Sequence, residues 1–259
     1  MKIAINSLPR CGTKMLQANF HRYIKSAGYN VLCPNSFDGI LEPFNFPDHE
    51  LELQVTMTGI DYIDDDKIHF KKKHSTPLNL NTAIINRYQY LMSLKDKSWV
   101  YKRTPWRRFD PILYESAVEL DKCVSVIRTD FFDHALSFAL AKQLDIWAPT
   151  IELEEAIKKY TNQQIKVNET DFVSAYKWIK GYSTIRWVDN IQVVNFHEMV
   201  KIKNSKEFCE FFQIPFVEFD FHQFVIEYGD NKRKMVSNLK QLRLSAAIID
   251  DKFKGYSDV

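Results

Sequence analysis

Two regimes of apolar patterning alternate along the 259 residues. Short unbroken apolar runs predict buried strands, and stretches with apolar residues at every third or fourth position predict helices. The first run, Lys2-Ile3-Ala4-Ile5, is broken by Ser7-Leu8-Pro9, and Leu16, Phe20, Tyr23, Ile24 and Ala27 then recur at helical spacing. Further strands are predicted at Tyr29 to Cys33, Ser98 to Lys102, Cys123 to Ile127 and Asn190 to Phe196. Helices are expected at Thr82 to Lys95, over 110–120, from Phe131 onward, across most of 151–187, at Ser205 to Phe212 and from Lys232 to Ile249. Strands alternating with helices predict an α/β fold with a mostly parallel central sheet flanked by helices, and a site at the strand C-termini.

One stretch fits neither regime. Residues 34–81 carry Pro34, Pro43, Pro47 and Pro77 and the acidic run Asp64-Asp65-Asp66, so they read as an irregular insertion on the acceptor side with short elements of its own. The rest forms a single domain over 1–259, without internal repeats or low-complexity segments.

Charge narrows the partners. Lys and Arg number 35 against 33 Asp and Glu, a net +2, so no global field favours nucleic acid or an anionic membrane. Basic clusters are local: Lys71-Lys72-Lys73, Arg107-Arg108 and Lys232-Arg233-Lys234. The four cysteines form no Cys-x-x-Cys pair and the start has too short an apolar run for a signal peptide, so a reduced, cytoplasmic protein without a membrane anchor is expected. Neither the histidines nor the acids show metal-ligand spacing, so no metal is expected.

The chemistry concentrates where the first strand meets the first helix. Pro9-Arg10-Cys11-Gly12-Thr13-Lys14 is a tight polar loop opening a helix, which aims backbone N–H groups and the positive end of the helix dipole at one point. Arg10, Lys14 and the Thr13 hydroxyl add donors, so the loop suits a phosphate or sulfate. It is not the GxxxxGK[ST] loop: Ser7 stands in place of the first Gly, and Thr13 in place of the Lys. A second segment pairs a buried strand, Cys123 to Ile127, with Arg128-Thr129-Asp130 and a helix carrying Ala135 and Ser137. There a guanidinium can grip a phosphate bidentately and a hydroxyl can add a hydrogen bond.

These two segments resemble the sulfotransferases that use 3'-phosphoadenosine 5'-phosphosulfate (PAPS), and in the longer Arg128-to-Ser137 spacing the bacterial carbohydrate sulfotransferases. The resemblance implies a P-loop-like sulfotransferase fold and transfer of a sulfuryl group from PAPS to a hydroxyl, that of a carbohydrate or another small molecule, leaving PAP. It implies a phosphosulfate site at Arg10, Cys11, Gly12, Thr13 and Lys14, with Cys11 and Lys14 as departures from the family's Ser and Thr. The 3'-phosphate falls to Arg128 and Ser137, with Lys232 and Arg233 where the family returns a basic loop, although no Arg-Lys-Gly is present. Lys102-Arg103-Thr104-Pro105 resembles the family's Lys-Thr-Pro, and either Lys102 or Arg103 would reach the sulfonate. Leu41-Glu42-Pro43 resembles a Glu-Pro pair, making Glu42 the expected base, with His49 and His21 in reserve. Two other readings stay open: a P-loop nucleotide or sugar kinase, and a nucleotide-binding module without catalysis.

Overall fold

The computed structural model describes residues 1–31, 55–64, 67–74, 98–103, 120–146, 151–183, 191–224 and 231–254. In chain order the elements are β1 (Lys2–Ser7), α1 (Thr13–Ser26), β2 (Val55–Asp64), β3 (Lys67–His74), β4 (Trp99–Arg103), β5 (Lys122–Ile127), α2 (Phe131–Leu144), α3 (Ile151–Gln163), α4 (Glu169–Ser183), β6 (Ile191–Asn195), α5 (Phe196–Met199), α6 (Ser205–Phe211), α7 (Asn231–Lys234) and α8 (Leu239–Lys254). They fall into two compact units, one of residues 1–127 and 186–224, the other of 128–185 and 225–259.

The first unit is built on a four-stranded, all-parallel sheet in the order β4-β1-β5-β6. Its inner strands, β1 and β5, are buried on both faces, as strands inside a parallel sheet commonly are. Ile3, Ala4, Ile5, Val124 and Val126 are each fully buried. The chain leaves β1 toward β4 on one side and β5 toward β6 on the other, so the topological switch point lies at the C-terminal ends of β1 and β5. In open α/β sheets that is where ligands bind.

α1 buries Leu16, Phe20, Tyr23 and Ile24, its predicted stripe. Phe20 meets an aromatic cluster: its ring centroid lies 5.0 Å from Phe208 and 4.9 Å from Phe212, while Phe208 is 5.5 Å from Phe219 and 5.9 Å from Phe221. Phe224 extends it, 5.9 Å from Phe221. The second unit packs α2 against α4, with Phe132 5.2 Å from Phe172 and Phe138 5.8 Å from Trp178.

Within the stretch 34–81, expected to be irregular with short elements of its own, β2 and β3 form an antiparallel hairpin; register shifts between Met57 and Ile60 and between Ile60 and Tyr62 disturb the alternation that would reveal it. One expectation needs correcting. The helix expected from Lys232 to Ile249 is two helices. Val236 leaves the helical path to make a parallel bridge with Ile165, flanked by Ile165 N–H donating to Met235 O (2.7 Å) and Ser237 N–H to Ile165 O (3.0 Å). Of the strand expected at Tyr29 to Cys33, Val31 makes a parallel bridge to Ser98, and residues 32 and 33 lie outside the described residues. The helices expected at 82–95 and 110–120 lie outside the described residues.

Phe208→Ala removes a ring that touches four others in the core of the first unit. It should cost about 3–5 kcal/mol, read as a lowered urea midpoint. Phe216→Ala, at a position 59% exposed, should change stability by less than about 0.5 kcal/mol.

Candidate active site

The loop between β1 and α1 is shaped by two left-handed residues, Arg10 (φ 69) and Gly12 (φ 65). Glycine takes that conformation at little cost, whereas arginine is strained in it, and strained residues of this kind cluster at functional sites. Gly12 is the N-cap of α1, which has neither a side-chain cap nor an acidic residue in its first turn. The positive end of the helix dipole is therefore uncompensated by the helix's own side chains. Ser7, fully buried at the end of β1, donates to Thr13 Oγ1 at 2.8 Å. With its lone pair engaged, the Thr13 hydroxyl keeps its own proton to give.

The outer wall of this loop is apolar. A Cβ on Gly12 would lie 3.4 Å from Met199 Cε, 3.4 Å from Phe196 Cε2 and 3.7 Å from Phe224 Cδ1. The turn after β6 and the end of the aromatic cluster thus back the loop, and Cys11 is buried with it at 1% exposure. A packing role fits the Cys11 thiol. Arg10 is partly buried and Lys14 exposed. Lys102, buried at 5% exposure, stands beside Ile5 of β1, and Arg103 beside Asn6. The sheet brings both to the strand end from which the loop springs.

The second unit carries its own basic cluster. Arg128, 6% exposed, donates through Nε to Asp130 Oδ1 (2.9 Å) and through Nη2 to Asp130 Oδ2 (2.5 Å). Asp133 accepts a matching pair from Arg233, Nε to Oδ1 and Nη2 to Oδ2, both 2.9 Å, and its Oδ2 lies 3.8 Å from Lys232 Nζ. Burial pushes the Lys232 ammonium below the usual lysine range; Asp133 and Asp130 pull it back up, and Arg128 and Arg233 push it further down. Arg128, Lys232 and Arg233 thus gather around Asp130 and Asp133, which puts three donors of positive charge within reach of one point near the start of α2. Ser137, 3% exposed, lies one helical turn beyond Asp133 on α2.

Sequence reading named Arg128, Ser137, Lys232 and Arg233, and these all fall in this unit, with both C-terminal cations bound to the start of α2. It missed the carboxylate that joins them, Asp133, which in sequence is an ordinary first-turn acid. It also missed Ser7, whose signal was a small hydroxyl closing a buried strand. Asp130 occupies the N-cap of α2 yet makes no side-chain cap, because both its oxygens face Arg128. Glu42 and His49 lie outside the described residues, and His21 is partly buried on α1. Among the described residues no group of three or more His, Cys, Asp or Glu is arranged to hold a metal ion, and no helix is long and apolar enough to cross a membrane.

Gly12→Ala forces an L-residue into the left-handed region, costing about 1–2 kcal/mol. Its new Cβ meets only ordinary contacts at 3.4 Å, so Gly28→Ala (φ 82, nothing within 4 Å) should lose a similar amount by urea denaturation. A much larger loss at Gly12 would mean that the Met199 and Phe196 wall does not yield.

No family model matches the chain, and no curated protein matches it. Among solved structures, it is similar to a sulfotransferase domain from the Synechococcus PCC 7002 olefin synthase, at 15% identity over 98% of this chain and 94% of that one, TM-score 0.37. It is similar to a sulfotransferase from Alicyclobacillus acidocaldarius, at 13% identity over 95% of this chain and 94% of that one, TM-score 0.35. With mouse sulfotransferase SULT7A1, solved with PAP, identity is 11% over 92% of this chain and TM-score 0.31, and the chain spans 64% of the mouse protein's length. Likenesses this distant place the chain in no family.

Proposed function

We propose that this chain is a sulfotransferase that moves a sulfuryl group from PAPS to a hydroxyl, that of a carbohydrate. The observation that carries the reading is the start of α1. Its first turn has no side-chain cap and no acid, it follows the buried β1 at the topological switch point, and a buried Ser7 orients the Thr13 hydroxyl. A loop so arranged accepts an oxyanion, and its departure from GxxxxGK[ST] speaks against an ATP or GTP loop. The Arg128, Lys232 and Arg233 cluster supports a donor with a second phosphate, since a lysine whose charged form is disfavoured by burial gains from an arriving dianion.

The donor supplies an activated sulfur–oxygen bond; the chain supplies position and charge. Arg10, Lys14 and the first-turn N–H groups hold the phosphosulfate, where donors to a developing negative charge lower the barrier. Lys102 or Arg103 neutralises the sulfonate. Arg128, Ser137, Lys232 and Arg233 hold the 3'-phosphate. Glu42 takes the proton of the acceptor hydroxyl as its oxygen bonds to sulfur, and the bridging oxygen leaves with PAP.

Thermal denaturation with added nucleotide tests the donor. PAP should stabilise the protein far more than ADP, by about 2.7 kcal/mol at ~100 times its dissociation constant. Equal shifts with both nucleotides would refute the assignment. Glu42→Gln keeps the size of the side chain but cannot take a proton, so turnover should fall by about 10²–10⁴. PAP affinity should stay as it was. Ordinary turnover in that variant would exclude Glu42 and direct attention to His49 or His21.

A further inference from the structure

Resting on the donor reading above, we infer that Asp133 is a positioning residue for the 3'-phosphate, pinning Lys232 and Arg233 to the start of α2, and that phosphate arrival there is coupled to proton uptake by Lys232. Three observations converge on it. Asp133 joins residues exactly a hundred positions apart, with both its oxygens engaged by the Arg233 fork at 2.9 Å. Such a bidentate pair fixes direction as well as distance. Its side chain is 18% exposed and Lys232's is 7%, so these two are held largely out of water, while the Arg233 side chain is 52% exposed and reaches in from solvent.

The second observation is what α2 forgoes. Asp130 and Asp133 are the acids that would ordinarily satisfy the N–H groups of the first turn. Asp130 turns to Arg128 instead, Asp133 turns to Arg233 and Lys232, and α2 has no side-chain cap from Asp130. A role in helix stability alone gives no reason for this exchange. A role in holding cations for a ligand does.

The third is the state of Lys232. Burial lowers its affinity for a proton, Asp133 and Asp130 oppose that, and Arg128 and Arg233 reinforce it. These four groups lie on the turn before α2, on α2 itself and on α7. A phosphate dianion beside the buried ammonium favours its charged form and raises the Lys232 pKa. Between the lowered pKa of the unliganded protein and the raised one of the complex, binding takes up a proton, so PAP affinity falls as pH rises through that window.

Calorimetry of PAP and ADP binding in two buffers of different ionisation enthalpy tests this. It is run at about pH 8 and about pH 9.5, where a phosphomonoester with second pKa near 6 is already dianionic. Wild type should take up a fraction of a proton with PAP, larger at the higher pH, and none with ADP. Lys232→Arg should bind PAP without uptake, because a guanidinium stays charged. Asp133→Asn should weaken PAP by about tenfold, as expected for one lost charge-assisted contact, and leave ADP unchanged. Asp133→Glu should restore part of the loss. PAP binding to wild type without uptake, or Asp133→Asn binding PAP as tightly as wild type or more so, overturns the inference while the donor reading stands. No PAP binding to wild type overturns the donor reading itself, and this inference with it.

Discussion

The first unit depends on β1 being paired along both edges. β4 matches it from Lys2 to Asn6 and β5 from Ile3 to Ser7, so a six-residue strand has neighbours on either side and no exposed edge. That double pairing satisfies its backbone groups without water and lets every residue after Lys2 be buried. It also fixes where β1 must stop. Beyond Ser7 the chain turns, Leu8 (1% exposed) plugs the core, and the loop leads into the start of α1.

A shared departure from helix-capping practice runs through both units. α5 and α6 are capped by Asn195 and Asn204, whose side chains accept from His197 N and Glu207 N, and Asn168 accepts from Thr170 N and Asp171 N at the start of α4. These helices satisfy their own first turns. α1 and α2 do not: one begins at a glycine, the other at an aspartate committed elsewhere. Asn238, before α8, is likewise committed elsewhere, to the Val167 backbone, so what sets α1 and α2 apart is that they follow β1 and β5, the strands that flank the switch point.

The parts of this arrangement visible in sequence are those set by local pattern. The apolar run at Ile3 to Ile5, the punctuation at Pro9 and Gly12, and the helical stripe of Leu16, Phe20 and Tyr23 each act over a few residues, and the elements appear where that pattern puts them. So do the strand before Arg128 and the helix after it. What stayed hidden depends on distant partners. The break after α7 exists because Val236 pairs with Ile165, which no window around Val236 contains. Asp133 looks like any acid near a helix start until Arg233 is brought to it. The β2–β3 hairpin is masked by its own register shifts and by the lysines of β3.

The pairing of Arg233 with Asp133 spans a hundred residues, and between them the chain leaves the second unit to lay down 186–224 in the first. Contacts of such sequence separation form late, because a long loop must close before any of its bonds repays the lost entropy. On the ribosome, α2 and α4 emerge well before the segment that completes their unit. Until residues 231–234 are made, Asp133 has neither Arg233 nor Lys232 beside it. The basic cluster is thus complete only once residues 231–234 have been made, and a nascent chain that holds α2 already folded still lacks two of its three cations.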